Sequence, residues 1–284
     1  MASERRVVLT LTCPDRVGIV HAVSGLLAGA GCNIEESQQF ADPRTKRFFM
    51  RVEASTEESS DMSRLRDQIV ELSEQFEMET GFFDTAPEPI LVLVSRIGHC
   101  LNDLLYRHST GSLHANIAAV ASNHPDFETL VTTYGIPFHY LPVSDENRRA
   151  QEDEIWRIAL EHNVSLVVLA RYMQILTPTM VERLTGKAIN IHHGLLPSFK
   201  GAQPYQQAYE RGVKLIGATA HFVTSELDEG PIVEQEVSRV DHRAAPADLT
   251  AIGQDLECIA LSRAVSWYMD HRVVLNGRKT VVFR

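Results

Sequence analysis

Asn190-Ile-His-His-Gly-Leu-Leu-Pro-Ser-Phe-Lys-Gly201 follows a short apolar strand expected over Lys187–Ile191, and Pro197 and Gly201 mark the turn and loop that end it. On an extended backbone, residues two apart point to the same side. Asn190 and His192 therefore present an amide and an imidazole together at a strand end. That pair suits a reaction in which an oxyanion develops beside a group that handles protons. A third partner is Asp228, in Leu227-Asp-Glu-Gly230, expected at another strand end because the apolar run Leu215–Val223 precedes it.

The surrounding chain sets the fold class. Ile90–Ser95 is a continuous apolar run, the mark of a strand buried on both faces. Strands are predicted at Ile117–Ala121, His139–Leu141 and Leu166–Ala170. Helices are predicted at Cys100–Arg107, His124–Tyr134, Asp145–His162 and Asp248–His271, the third with acidic residues in its first turn. Alternating strands and helices define a doubly wound α/β sheet. Ser95, Ala170-Arg171 and Asn190–His192 all fall at carboxyl ends of its strands, where ligands gather. Val273–Leu275 and Thr280–Phe283 read as a hairpin around Asn276-Gly277.

Upstream the pattern changes. Strands are expected over Arg6–Cys13, Asn33–Ala41, Arg47–Ala54 and Glu77–Phe83. A helix over Val17–Ala30 has a predicted buried stripe of Val17, Val20, Val23, Leu26 and Leu27, and a second spans Ser60–Gln75. The order βαββαβ is the ferredoxin-like arrangement. Residues 1–83 are thus read as one domain, 84–89 as a stiff linker with two prolines, and 90–284 as the second domain.

The words Thr12-Cys-Pro-Asp-Arg-Val-Gly-Ile19 and Gly29-Ala-Gly-Cys-Asn-Ile34 resemble an ACT domain, the small module that often binds amino acids. The resemblance implies an effector dock at Asp15, Gly18, Ile19, Gly31 and Asn33. A helix starting at Gly18 would offer free N–H groups to a carboxylate. The same glycines also read as tight turns in a pairing platform without ligand.

The long ordered pattern Asn-x-His, Leu-Leu-Pro-x-x-x-Gly, Ala218-Thr-Ala-His-Phe-Val223 and Leu227-Asp-Glu-Gly-Pro-Ile-Val233 resembles the folate-dependent formyltransferases, over about Pro89–Arg284. The resemblance implies that Asn190, His192 and Asp228 surround the formyl carbon of 10-formyltetrahydrofolate. It places the folate along Arg171, Tyr172, Met173, Gln174, Ile175 and Leu176, with Val223 and Thr224 on the other wall. His193 points the other way on an extended strand and is read as structural. Gly194 departs from the family, which commonly has Ser there.

Transferases that act on a phosphorylated amine hold it with a Gly/Ser-rich loop after the first strand. Here that loop, Ser95-Arg-Ile-Gly-His-Cys-Leu101, has one glycine and bulky neighbours, unlike a phosphate cradle. Water is then the natural nucleophile. The expected reaction is hydrolysis to formate and tetrahydrofolate, feeding one-carbon and purine metabolism. Transfer to an unrecognised acceptor, or an amino-acid sensor with a silent folate site, remain the alternatives.

The 284 residues are 44% hydrophobic and 23% charged, with a formal net charge of -10. That balance disfavours nucleic-acid and membrane-surface partners, which call for a basic face. No run has the length of a membrane span, and the N-terminus lacks a secretory apolar region. Cys13, Cys32, Cys100 and Cys258 are scattered, with neither metal-ligand nor disulfide spacing, which suits a reducing cytoplasm. The expectations are no metal, no tightly bound cofactor, an amino-acid effector (glycine or methionine) and a homo-oligomer pairing through both domains.

Overall fold

A computed structural model describes residues 4–57, 62–198 and 204–284. The start of the predicted Ser60–Gln75 helix and the Phe199–Gly201 end of the organising loop lie outside the described residues. The chain divides into two compact units: Met1–Ala86 with Asp270–Val274 and Val281–Arg284, and Pro87–Met269 with Leu275–Thr280.

The first unit runs β1 (Glu4–Pro14), α1 (Ile19–Gly29), β2 (Asn33–Asp42), β3 (Arg47–Glu57), α2 (Met62–Phe76) and β4 (Glu79–Asp84). Its sheet has the order β2-β3-β1-β4, with every pair antiparallel. Alternate residues Val7, Leu9, Leu11 and Cys13 of β1 face a core shared with Ile19, Val23 and Leu27 of α1 and Leu65 and Ile69 of α2. The buried stripe of α1 thus differs from the predicted one. Val17 lies before the helix and is fully exposed, and Val20 is also exposed. Starting the helix at Ile19 sets the i, i+4, i+8 face on Ile19, Val23 and Leu27. On the other side of the sheet, Arg51 is buried and bonds the Asp270 carbonyl and the Glu36 and Glu53 carboxylates, while Arg272 also pairs with Glu36. The last residues of the chain therefore belong with this first sheet.

The second unit runs β5 (Pro89–Val94), α3 (His99–Ser109), β6 (Asn116–Ser122), α4 (Glu128–Thr133), β7 (Phe138–Tyr140), α5 (Arg148–Glu161), β8 (Leu166–Leu169), α6 (Pro178–Arg183), β9 (Ala188–His192), α7 (Pro204–Glu210), β10 (Leu215–Phe222), β11 (Ile232–Arg239) and α8 (Pro246–Met269). The hairpin β12 (Val273–Asn276) and β13 (Lys279–Val282) follows. The seven-stranded sheet has the order β11-β10-β9-β8-β5-β6-β7. Strands β9 to β7 are parallel, while β10 and β11 add an antiparallel edge. This is the mostly parallel doubly wound sheet expected from the pattern. On one face, Leu91, Leu93, Ala119, Ala121, Val167 and Leu169 pack under Ile155 and Ile158 of α5.

Two helices start later than predicted. Pro125 delays α4 to Glu128. Ser144 and Asn147 bond each other across a turn, so Asp145 and Glu146 sit before α5 and its first turn holds no acid. Among the described residues no helix is long and apolar enough to cross a membrane.

Candidate active site

Strand β9 ends in Asn190, Ile191 and His192, and the alternation predicted from sequence puts Asn190 and His192 on one side. Both line a cavity of about 270 Å³ at the carboxyl end of the sheet, together with Asp228. His192 Nδ1 lies 3.3 Å from Asp228 Oδ2, and the two side chains are only 4% and 10% exposed. His192 Nε2 is buried without a hydrogen-bond partner among the described residues. The hydrogen bond from His192 holds the Asp228 carboxyl below its ordinary pKa, and this outweighs the opposing effect of burial.

Asp228 is not at the end of β10, as the sequence suggested. It sits farther along the loop after Phe222, with φ +57 in the left-handed region. The loop folds back on its own strand: Phe222 N–H donates to Pro231 O, and a Cβ at Gly230 would overlap the Phe222 carbonyl. A residue without a side chain is needed for that close approach. A non-glycine residue in a sparsely populated conformation persists only where its surroundings enforce it, and such positions cluster at functional sites.

His221 is the residue the sequence reading missed. In the antiparallel β9–β10 register it stands directly opposite Asn190, and Thr219 stands opposite His192. Cross-strand partners on one face touch. Asn190 Nδ2 donates to His221 Nε2 at 3.2 Å, and His221 Nδ1 donates to Phe222 O at 2.9 Å. Burial pushes the His221 pKa down, which favours the neutral ring this bonding requires. His221 thereby orients the Asn190 amide, and it also lies 3.7 Å from Asp228 Oδ1. Thr219 donates to Gly194 O and accepts from Leu196 N–H, tying the loop after β9 to β10. The His in Ala-Thr-Ala-His-Phe was visible, but its partner depended on strand register.

His193 also lines the cavity, instead of turning away. It lies just beyond the end of β9, where strict alternation stops. Burial, reinforced by the Arg171 charge, lowers its pKa to about 4.

The stretch 171–176 forms another wall. Its near end is held by Ser95 Oγ, which accepts from Met173 N–H, and by Gln151, which donates to the Tyr172 hydroxyl. Its far end is held by Glu152, which accepts from Thr177 N–H and from the Thr177 hydroxyl. Tyr172 is buried in the core, while Met173 and Ile175 are 55% and 67% exposed at the cavity mouth beside Leu227. Gln174, Leu176, Val223 and Thr224 complete this lining. Arg171 lines the cavity too, with its guanidinium turned inward to Glu257 at 3.5 Å.

The loop after β5 is occupied internally. Ser95 Oγ donates to Asn123, His99 bonds Glu257, and a Cβ on Gly98 would strike the Phe127 ring. His99, Cys100 and Cys258 bring ligand-type atoms within 4.8 Å of one another, although their sequence spacing showed no such group. His99 Nε2 is committed to Glu257, and the Cys258 contact together with burial holds the Cys100 thiol well above its ordinary pKa.

In the first unit, Gly18 precedes α1 with φ +100, and Gly31 has φ +76, both in the left-handed region that favours glycine. Asp15 N–H bonds Lys46 O, and Asn33 donates to Glu35. The Ile19 side chain is buried in the core, so only its backbone is available at the helix start.

Fold and site together define an α/β domain of the formyl transferase class joined to a small ferredoxin-like module. Residues 88–265 match the family model described as formyl transferase, and residues 7–69 match the ACT domain. A formyltetrahydrofolate deformylase from Corynebacterium sp. is 47% identical, covering 100% of both chains, and one from Bacillus subtilis is 45% identical, covering 97% of this chain and 93% of that one. The crystal structure of formyltetrahydrofolate deformylase from Burkholderia mallei superposes with a TM-score of 0.94 at 46% identity, covering 99% of this chain and 100% of that one. The chain belongs to the formyltetrahydrofolate deformylase family. A glycinamide ribonucleotide transformylase from Symbiobacterium toebii is more distant, with a TM-score of 0.65 at 28% identity over 70% of this chain and 95% of that one.

Proposed function

We infer that the protein hydrolyses 10-formyltetrahydrofolate to formate and tetrahydrofolate, acting on a linear amide C–N bond. The observation that carries this reading is the convergence of Asn190, His192 and Asp228 on one cavity, with the His192–Asp228 pair at 3.3 Å. The N10-formyl group enters from the apolar mouth at Met173, Ile175 and Leu227. Asp228, ionised at neutral pH, orients a water and accepts its proton as the oxygen attacks the formyl carbon. Asn190, oriented by His221, donates to the resulting oxyanion. His192 donates Nδ1–H to Asp228 and holds that carboxylate in place. Collapse of the intermediate breaks the C–N bond, and N10 takes back the proton. General acid–base help of this kind contributes ~10²–10⁴ in rate. The backbone between Met173 and Leu176 reads the pterin ring.

The ACT module adjusts this activity in response to an amino acid, glycine or methionine, bound at the backbone around Gly18 and Gly31 beside Asp15 and Asn33. Both amino acids draw on the one-carbon pool that formate feeds, which connects the reaction to purine synthesis. The working form is a cytoplasmic homo-oligomer. Purified protein with 10-formyltetrahydrofolate and no acceptor should release formate and tetrahydrofolate in equal amounts. Absence of formate would overturn the reading. Calorimetry and rates unchanged across a panel of amino acids would remove the effector.

A further inference from the structure

Strand order in the second sheet reverses at β5, with β6 on one side and β8 on the other. In open α/β sheets the crevice beyond such a reversal is where a ligand binds. Here protein fills it. Ser95 N–H at the end of β5 donates to Arg171 O at the end of β8, at 3.3 Å. Arg171 has φ +63, a conformation glycine adopts freely and arginine does not. An enforced outlier of this kind points to a reason in the side chain.

The side chain of Arg171 is 8% exposed, and its Nε and Nη1 are buried with no hydrogen-bond partner. Its Nε lies 3.5 Å from Glu257 Oε2, a carboxylate on α8 that is 1% exposed. Glu257 also accepts from the Tyr205 hydroxyl at 2.8 Å and pairs with His99 Nε2 at 2.8 Å. His99 of α3 and Tyr205 of α7 thus meet Arg171 at the one carboxylate that α8 supplies, Glu257. Arg171 and His193 form the buried side of the reaction cavity, and the folate mouth at Met173, Ile175 and Leu227 is its exposed side.

We propose that Arg171, clamped by Glu257, is a specificity-determining residue that plugs the acceptor side of the reaction centre, so that water reaches the formyl carbon and a substituted amine does not. This rests on the hydrolase reading above. Water needs room for one small molecule. An amine acceptor carries substituents behind its nitrogen, and the guanidinium occupies that room.

The test measures how the formyl group is shared between water and hydroxylamine. In the transfer, the C–N10 bond breaks and a bond from carbon to the hydroxylamine nitrogen forms. That nitrogen loses a proton and N10 gains one, giving formohydroxamate and tetrahydrofolate. Three proteins are compared at one hydroxylamine concentration: wild type, Arg171→Met, which keeps the bulk, and Arg171→Gly with Glu257→Gln, which empties the plug without leaving a bare buried charge. Opening the site should raise the formohydroxamate-to-formate ratio by about 10-fold or more, in the range that pocket shape can discriminate. Arg171→Met should stay near the wild-type ratio. A ratio unchanged in the emptied variant overturns the proposal. Loss of all turnover in both variants, with tetrahydrofolate still bound by calorimetry, also overturns it, since the cluster would then serve hydrolysis itself. Wild-type protein that releases no formate at all would remove the hydrolase reading, a result separate from an unchanged ratio.

Discussion

Replacing Asp228 with Asn separates the charge of the site from its shape. The amide is nearly isosteric, and its oxygen can still accept from His192 Nδ1, which now lies 3.3 Å from the carboxylate. What disappears is the carboxylate charge, and with it the proposed acceptor for the proton of water. Loss of a positioned general base costs about 10²–10⁴ in kcat, or about 2.7–5.4 kcal/mol at 1.36 kcal/mol per decade. Folate affinity should change little, because the mouth residues Met173, Ile175 and Leu227 are untouched. The assay is formate and tetrahydrofolate release under saturating 10-formyltetrahydrofolate, with affinity from calorimetry. In the wild type the acid limb owed to this carboxylate should lie below its ordinary value of 3.8, since its lowered pKa keeps it ionised until the pH falls through that lower value. A variant within tenfold of wild-type kcat would refute the general-base role.

Asn190→Ala removes the oxyanion donor and should lower kcat by about 10²–10³ with tetrahydrofolate binding retained, checked by the same pair of measurements. His221→Leu leaves Asn190 in place but unoriented, and misplacement on this scale should cost up to about 10²-fold in kcat with KM little changed. His193 has a folded pKa of about 4 against 6.5 for the ordinary group. Its contribution to stability is therefore full above 6.5 and is lost as pH falls toward 4. Denaturant melts should show about 2 kcal/mol of this component lost between roughly pH 7 and 5, and His193→Gln should lack it.

Local rules carried much of this far. Period-two alternation was enough to place Asn190 and His192 side by side, because a strand leaves a side chain no other choice. Continuous apolar runs at Ile90–Ser95 and Leu166–Ala170 marked strands covered on both faces, and hence the parallel sheet. Where local signals competed, boundaries moved. The Ser144–Asn147 turn kept two acids out of α5, and starting α1 at Ile19 left Val17 and Val20 in solvent. The short helices α6 and α7 and the edge strand β11 were not foreseen, since four to eight residues carry too little periodicity to read.

The sequence alone determined the α/β fold class and brought out the amide, imidazole and carboxylate that line one cavity, because these follow from periodicity and from an ordered run of motifs. Tertiary structure alone decided which groups surround them. His221 meets Asn190 only through the antiparallel register of β9 and β10. Asp228 reaches His192 only because its loop folds back over Gly230. Arg171 meets Glu257 across 86 positions of chain because the middle of α8 passes beside the segment that follows β8. Contacts of that kind depend on how distant elements pack, and no local pattern in the chain encodes their distance.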